Sequence, residues 1–454
     1  MREYEELGHM TNVKETSHDY STFYMPHHGV LRPASASTKL RMVFDGSLKS
    51  DSGLSLNDCQ YRSSIATHTL ANRPKRGDKD LRIEHINLRH IIGILLSHSF
   101  AYATECEQSL PGVARIIRSD FYVDDLLTSF NDIEKAKAVI QKLRDMLLSD
   151  CLPLAKWVSN EPSIISNVVG KEDKLSIITL GENNTHKTLG PNWRIDSDHL
   201  TFSKNFSKQF KVTNRSILSE TSQIYDPLGV LAPCIILAKI SLQKLWLAKT
   251  EWDESLLSGI QSQWLEYRNQ LACLNNIIIP RHSICSNPVR IQIHGFSDAS
   301  KDAYGGCVYL RSQNATESVH VSLLCAKSRV APLKTETIPR LELCGALTVA
   351  RLVSKVSRSM SCKIDQIFLW TDSTIVLNWI QGQPHTQLVF VANRVSQVQQ
   401  LDLDAQWRHI STDLNPADLL SRGSVAPSKL RNLEIWWQEP KFLQSHESEW
   451  PHDE

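Results

Sequence analysis

Four acidic residues in the last third of this 454-residue chain have types and spacing that could do metal chemistry. Asp298 ends an apolar strand pattern, Glu342 lies within a helical pattern, Asp372 follows a second apolar strand, and Asp418 ends Asn415-Pro416-Ala417-Asp418. Successive acids stand 44, 30 and 46 positions apart. Each alone has an ordinary structural explanation. Asp372 with Ser373 can cap a helix, and Glu342 between Leu341 and Leu343 can face solvent. Taken together they meet the needs of one chemistry. Mg2+ is a hard ion that prefers carboxylate oxygens and keeps some of its waters. Two such ions about 4 Å apart activate an attacking water and stabilise the leaving oxygen in phosphodiester hydrolysis. Carboxylates from neighbouring strand ends and one facing helix can hold that pair, and strand ends are where sites in open α/β sheets lie.

The elements that must position these acids are legible in the hydrophobic period. Val289, Ile291 and Ile293 alternate with Arg290, Gln292 and His294, which predicts a half-buried strand ending at Asp298. Two strands follow, around Gly305–Leu310 and Val319–Ala326, and a long helix begins near Ile338 and carries Leu343, Leu347, Ala350 and Val353. Ile367–Trp370 is a further strand. A short helix, a strand at Gln406–Ile410 and a helix opening at Asn415-Pro416 complete one α/β domain of roughly 130 residues. Upstream, Pro233 sits where a first helical turn tolerates proline, and Ile235, Ala238, Leu242, Leu245 and Trp246 mark one face. Leu257, Ile260, Trp264, Tyr267 and Leu271 mark a second helix. Pro280–Pro288, with two prolines and two serines, reads as a linker. Nearer the N-terminus a helix is predicted from Ile133, Ala136, Ile140, Leu143 and Leu147, with Asp132 or Asn131 as its N-cap.

The strings Gly295-Phe296-Ser297-Asp298-Ala299-Ser300, Pro339-Arg340-Leu341-Glu342-Leu343, Trp370-Thr371-Asp372-Ser373, and His409 followed by Asn415-Pro416-Ala417-Asp418 closely resemble the type 1 ribonuclease H domain of retroelement polyproteins. With Leu324-Cys325-Ala326-Lys327-Ser328-Arg329, the wording is similar to the BEL/Pao group of long-terminal-repeat retrotransposons. The resemblance implies an α/β fold, a ribonuclease H-like mixed sheet flanked by helices. It further implies that Asp298, Glu342, Asp372 and Asp418 hold two Mg2+ ions, with Mn2+ as a substitute, and that His409 is a mobile histidine near the scissile phosphate. Its substrate would be RNA paired with DNA, which calls for contacts to 2′-hydroxyls on one strand. Ser300, Ser373 and Asn378, bordering the acids, are the candidates for those contacts, and each reads equally well as an ordinary polar surface residue.

Tyr122-Val123-Asp124-Asp125 resembles the Y-x-D-D hairpin of reverse transcriptases, whose aspartates help hold two metal ions; an acidic β-turn is the plain alternative. Thr38-Lys39-Leu40-Arg41 with Phe44-Asp45 resembles the fingers strand that contacts triphosphate, which makes Lys39 and Arg41 nucleotide-binding candidates. Leu54–Asp58, Lys156-Trp157, Ser216–Glu220 and Tyr225-Asp226-Pro227-Leu228-Gly229 are also similar to that group. A polymerase needs an earlier aspartate ending an apolar strand, and the acids between Asp45 and Asp124 supply none. The tract 59–111 lacks the resemblance, so an internally deleted, inactive palm is expected. Asp51-Ser52-Gly53 follows Leu48-Lys49-Ser50 instead of an apolar strand and reads as loop, not as a protease triplet.

The domain order that follows is fingers and damaged palm over 1–115, palm remainder over 116–213, a helical thumb or connection over 214–287, ribonuclease H over 288–425, and a tail toward an integrase over 426–454. A rival from another class is a non-catalytic nucleic-acid-binding remnant. Fifty Lys and Arg against 49 Asp and Glu, for a net charge of +1, exclude a globally basic binder. The 41% hydrophobic and 22% charged residues are an ordinary globular balance. Ten cysteines without any C-x-x-C pair imply buried reduced thiols, with neither a zinc site nor a disulfide frame. The start shows no signal-peptide pattern, and Ile91–Ala103 is too short to span a bilayer. A soluble intracellular protein in the cytoplasm, with nucleic acid and not membrane as partner, is the expectation; the oligomeric state stays open.

Overall fold

The computed structural model describes residues 27–31, 40–44, 110–122, 125–149, 154, 157–168, 185–187, 191–203 and 211–451, without 257, 361, 438 and 439. Lys39, Asp51–Gly53, Leu54–Asp58, Asp124 and all but the end of the tract 59–111 lie outside the described residues. The chain divides into two compact units, Met1–Trp157 with Glu161–Ile177, and Val158–Asn160 with Ile178–Glu454.

In the first unit, β1 (His27–Leu31) pairs antiparallel with β2 (Leu40–Phe44), the strand that contains Arg41. Helix α1 (Pro111–Ser119) opens on a proline and buries Val113, Ala114, Ile116 and Ile117. Strands β3 (Phe121–Tyr122) and β4 (Asp125–Leu126) form a hairpin in which Tyr122 stands opposite Asp125. Helix α2 (Ile133–Ser149) is capped by Asp132, whose Oδ1 accepts the Lys135 N–H at 2.7 Å. Leu143, Met146 and Leu147 complete a small core with α1, while Ile133 points outward. Helix α3 spans Pro162–Val168.

The second unit begins with a four-stranded antiparallel sheet that the sequence pattern did not reveal. It consists of β5 (Thr185–Lys187), β6 (Asn192–Arg194), β7 (His199–Thr201) and β8 (Ile278–Pro280). Three-residue strands are too short to display a period of two. Helix α4 (Asn214–Ser222) starts at a Thr213 capping box and is tied to α6 (Ser258–Gln270) by the buried Glu220–Arg268 ion pair at 2.7 Å. Between them, Tyr225–Gly229 forms the turn that launches α5 (Ala232–Leu247). Asp226 accepts the N–H groups of Val230 at 3.1 Å and Leu231 at 2.7 Å. Leu228 accepts the Ala326 N–H at 2.8 Å, which stitches this turn to the large sheet. Gly229, at φ 73°, is obligatory there, since a Cβ would sit 1.8 Å from the Ala326 carbonyl oxygen. Trp246, predicted to share the buried face of α5, is 77% exposed. Helix α5 is apolar nearly all round, so its period defines a face poorly.

The large sheet has the order β11-β10-β9-β12-β13. Its strands are β9 (Pro288–Ala299), β10 (Ala303–Asn314), β11 (Val319–Val330), β12 (Gln366–Thr371) and β13 (Ala405–His409). The first three form an antiparallel meander, and β9, β12 and β13 run parallel. This is the α/β, mixed-sheet, helix-flanked architecture expected of a ribonuclease H-like fold. One face is covered by α7 (Ile338–Ser359), α8 (Thr374–Gln381) and α9 (Val389–Gln399), over a core that includes Ile293, Val308, Val349, Val353 and Leu369. One helix was expected between β12 and β13; two are present, separated by the Gly382–Leu388 stretch with its Pro384.

β9 is not half-buried. Gln292 and His294, read as solvent-facing, are both fully buried. The opposite face of the sheet is covered by α5 and by the chain after α10 (Asp418–Arg422), in a core containing Phe296, Phe368, Trp370, Trp436, Leu443 and Trp450. Residues near the C-terminus therefore belong to the domain's interior. Arg311, on β10, donates to Leu443 O at 2.7 Å and to Gln292 Oε1 at 2.8 Å. Buried polar groups are tolerated because they are bonded in this way. The described cysteines are free thiols, with Cys234 and Cys307 buried. Among the described residues no helix is long and apolar enough to cross a membrane.

Candidate active site

The register of the parallel strands sets the first two acids side by side. Ser297 on β9 pairs with Thr371 on β12, so Asp298 and Asp372 follow at the carboxyl ends of adjacent strands. Thr371 pairs in turn with His409 on β13. Glu342 arrives from above. Helix α7 lies so close to the sheet that a Cβ at Gly345 would stand 2.9 Å from the Asp298 carbonyl oxygen. Glu342 lies one turn before Gly345, on the same helix face, and its carboxylate meets the Ser373 side chain. Asp418 comes from the other face of the sheet. Buried Asn415 donates its Nδ2 to Ser297 O at 3.0 Å and accepts the Ala417 N–H at 3.1 Å, which pins the turn before α10 to the end of β9.

The acids then polarise one another. Asp298, 6% exposed, is pushed up to about 7, first by burial and then by the charges of Asp372 and Asp418, against a hydrogen bond from Ser421. Glu342 is raised by burial, offset by Ser373 and reinforced by Asp372. Asp418 is raised by burial, partly relieved by Arg422 at 2.5 Å, and raised again by Asp372. Asp372 is the partner common to all three. Its Oδ2 accepts the Thr412 hydroxyl at 2.8 Å, and its Oδ1 is buried with no hydrogen-bond partner.

The donor chemistry of this set fits a hard divalent cation: four carboxylates, one of them with an orphaned oxygen, three of them raised first by burial and then by the charge of Asp372. Among the described residues, no group of three or more His, Cys, Asp or Glu side chains is placed to hold a metal ion. Several helpers escaped the sequence reading. Ser421, three residues after Asp418 on α10 and fully buried, donates its hydroxyl to Asp298 Oδ2. Its spacing from Asp418, on one helix face, was the available signal. Thr412 carried no signal at all.

The other candidates fall in different places. Ser300 donates to Ser421 O at 2.7 Å and accepts the Asp302 and Ala303 N–H groups, so its hydroxyl is engaged within the domain. Ser373 is the N-cap of α8 and is buried, while Asn378 on the same helix is exposed. Tyr122 and Asp125 face each other in the hairpin of the first unit, which also contains Arg41.

Residues 213–373 match the model of the family described as Pao retrotransposon-like RNaseH-like domain. That span joins α4–α6 to the sheet through Asp372, in keeping with the stitch between Leu228 and Ala326, and stops short of His409 and Asp418. The N-terminal RNase H domain of rv2228c from Mycobacterium tuberculosis, solved as a fusion with maltose binding protein, is 14% identical. The likeness covers 32% of this chain and 97% of that one, with a TM-score of 0.22. LC11-RNase H1, solved in complex with an RNA/DNA hybrid, is 12% identical over 29% of this chain and 93% of its own, with a TM-score of 0.22. The foamy viral protease-reverse transcriptase, solved in complex with dsDNA, is 12% identical over 90% of this chain and 79% of its own, with a TM-score of 0.21. No curated protein matches the chain.

Proposed function

We propose, for a chain whose residues 213–373 match the model of the Pao retrotransposon-like RNaseH-like domain, that the second unit hydrolyses the RNA strand of RNA–DNA hybrids. The observation that carries this reading is the register that sets Asp298 and Asp372 at the ends of adjacent strands, with Ser421 bonded to Asp298 and Asn415 pinning the turn before Asp418 to the end of β9. Gathering carboxylates is costly even with Arg422 beside one of them. A positive partner at that spot removes the cost. Mg2+, or Mn2+ in its place, supplies when bound an activated water and stabilisation of the leaving oxygen. The chain's own residues do the rest. Asp298 and Asp372 present oxygens from adjacent strand ends, Glu342 from one face and Asp418 from the other. His409, on the neighbouring strand, handles a proton near the scissile phosphate. Of the three polar candidates for contact with the hybrid, Asn378 is the one with an exposed position, and recognition of 2′-hydroxyls is assigned to it first.

In this reading residues 288–425 are the ribonuclease H domain, its core completed by Trp436, Leu443 and Trp450 of the stretch 426–454 that the sequence alone reads as a tail, with 214–287 the connection and 1–213 a polymerase remnant. Tyr122, Asp124 and Asp125 are its metal hairpin, Lys39 and Arg41 its nucleotide contacts. It is read as inactive because no aspartate in the sequence between Asp45 and Tyr122 follows an apolar strand pattern. Templated primer extension by the full chain would overturn that part.

A second reading, a nucleic-acid-binding remnant that does not cut, draws support from the absence of a ready metal cage among the described residues. Cleavage of a labelled hybrid in Mg2+, by the natural chain and by Asp372→Asn, separates the two. Cutting by the natural chain alone is the expected result. Equal cutting by both means the assigned acids are wrong, and binding of hybrid without cutting by either favours the remnant.

A further inference from the structure

We propose that Ser421 is a positioning residue for the acid cluster: its hydroxyl fixes one oxygen of Asp298 and so sets how that carboxylate meets a divalent ion. The inference rests on the hydrolytic reading above and adds a residue to it. Ser421 is fully buried, and its Oγ donates to Asp298 Oδ2. That bond engages one oxygen, and the Ala299 N–H also donates to the carboxylate, so the group is held in one orientation by side chain and backbone together. The same residue closes a circuit between two elements. Its carbonyl accepts the Ser300 hydroxyl at 2.7 Å, and Ser300 in turn holds the Asp302 and Ala303 N–H groups at 3.1 and 3.3 Å. Helix α10, which begins at Asp418, is thereby clamped to the end of β9, which carries Asp298. The hydroxyl of Ser421 thus orients Asp298 and also lies 3.1 Å from the Asp418 carbonyl oxygen, while the Ser421 carbonyl, through Ser300, ties the two elements together. Groups that orient a metal ligand without touching the metal typically change affinity or activity by about 10–100-fold when removed. Ser421 is fully buried and so out of reach of a bound substrate.

The test uses the full chain and Mn2+ as the probe, titrated while the electron paramagnetic resonance signal of the unbound ion is followed. Hybrid cleavage is measured in parallel for kcat and KM. For Ser421→Ala the expected result is Mn2+ binding weakened about 10–100-fold and kcat lowered by a similar factor, with KM for hybrid unchanged. The thermal midpoint should stay close to that of the natural chain. Should the alanine variant melt early, Ser421→Cys decides, since it keeps the volume and replaces a strong donor with a weak one. Ser421→Thr, which keeps the hydroxyl, should restore binding. Natural-like Mn2+ affinity in the alanine and cysteine variants would overturn the proposal, as would a change confined to KM. A natural chain that neither binds Mn2+ nor cuts would instead strike at the hydrolytic reading itself.

Discussion

Thr412 donates its hydroxyl to Oδ2 of Asp372 at 2.8 Å, while Oδ1 of the same carboxylate is buried and unpartnered. One oxygen is held and the other left bare, on the carboxylate whose charge reaches Asp298, Glu342 and Asp418. Asp372→Asn should therefore reduce hybrid cleavage by on the order of 10³-fold, the equivalent of roughly 4 kcal/mol of transition-state stabilisation. The variant should melt no lower than the natural chain in the absence of divalent ions, because removing the shared charge relieves Asp298, Glu342 and Asp418. Paired cleavage and melting measurements check both halves.

The close approach of α7 to the sheet makes a second prediction. A methyl group at Gly345 would meet the Asp298 carbonyl oxygen at 2.9 Å and that of Gly305 at 3.3 Å. Both obstacles are backbone atoms and cannot swing away. Gly345→Ala should cost about 1–3 kcal/mol by overpacking and should lift Glu342 from its place. Activity is then expected to fall in protein that is still folded, as read by circular dichroism beside the cleavage assay.

The C-terminal residues are predicted to be part of the fold. Trp450 is fully buried against His294, Phe368 and Trp370, with Arg311 above its ring at 5.4 Å from the centroid. Trp450→Ala should cost about 3–5 kcal/mol. A chain ending after Val425 would also leave the Arg311 guanidinium without its Leu443 and Ser445 acceptors, and should not fold. Denaturant melts of the two variants test this.

His294 provides the acid-side prediction. It is fully buried, stacked on Phe368 at 5.1 Å and close to Arg311 and Arg408, and burial first, then those two cations, holds its pKa well below the ordinary value. Trp370 Nε1 donates to its Nδ1 at 3.3 Å, which suits the neutral ring. The unfolded chain takes up a proton near pH 6.5 that the folded chain refuses. Stability is therefore whole above pH 6.5 and falls as pH drops below it, by up to about 1.4 kcal/mol per pH unit. Asp298 and Asp226, raised to about 7 and about 6, act in the opposite sense over part of that range. The comparison must accordingly be made against His294→Phe, whose melting midpoint should lose less on acidification from pH 7 to pH 5 than that of the natural chain.

The acids, their order, and the strand and helix that carry each were legible in the one-dimensional chain, because a period of two or of 3.6 and a polar residue at an element's end are local properties. Local chemistry also offered Asp132, beside Asn131, as the cap of α2, whereas the hairpin around Tyr122 and Asp125 was expected from the resemblance. The burial of Gln292 and His294 was not legible. It depends on Trp436, Leu443 and Trp450 crossing the outer face of β9 from more than 140 positions away, and no window of sequence contains both partners. The same holds for the site's finish. That Ser421 reaches Asp298, Thr412 reaches Asp372, and Gly345 lets α7 settle on the strand ends follows from how two layers press against one sheet. Those contacts are set by packing distances between elements, which residue types and spacing along the chain do not encode.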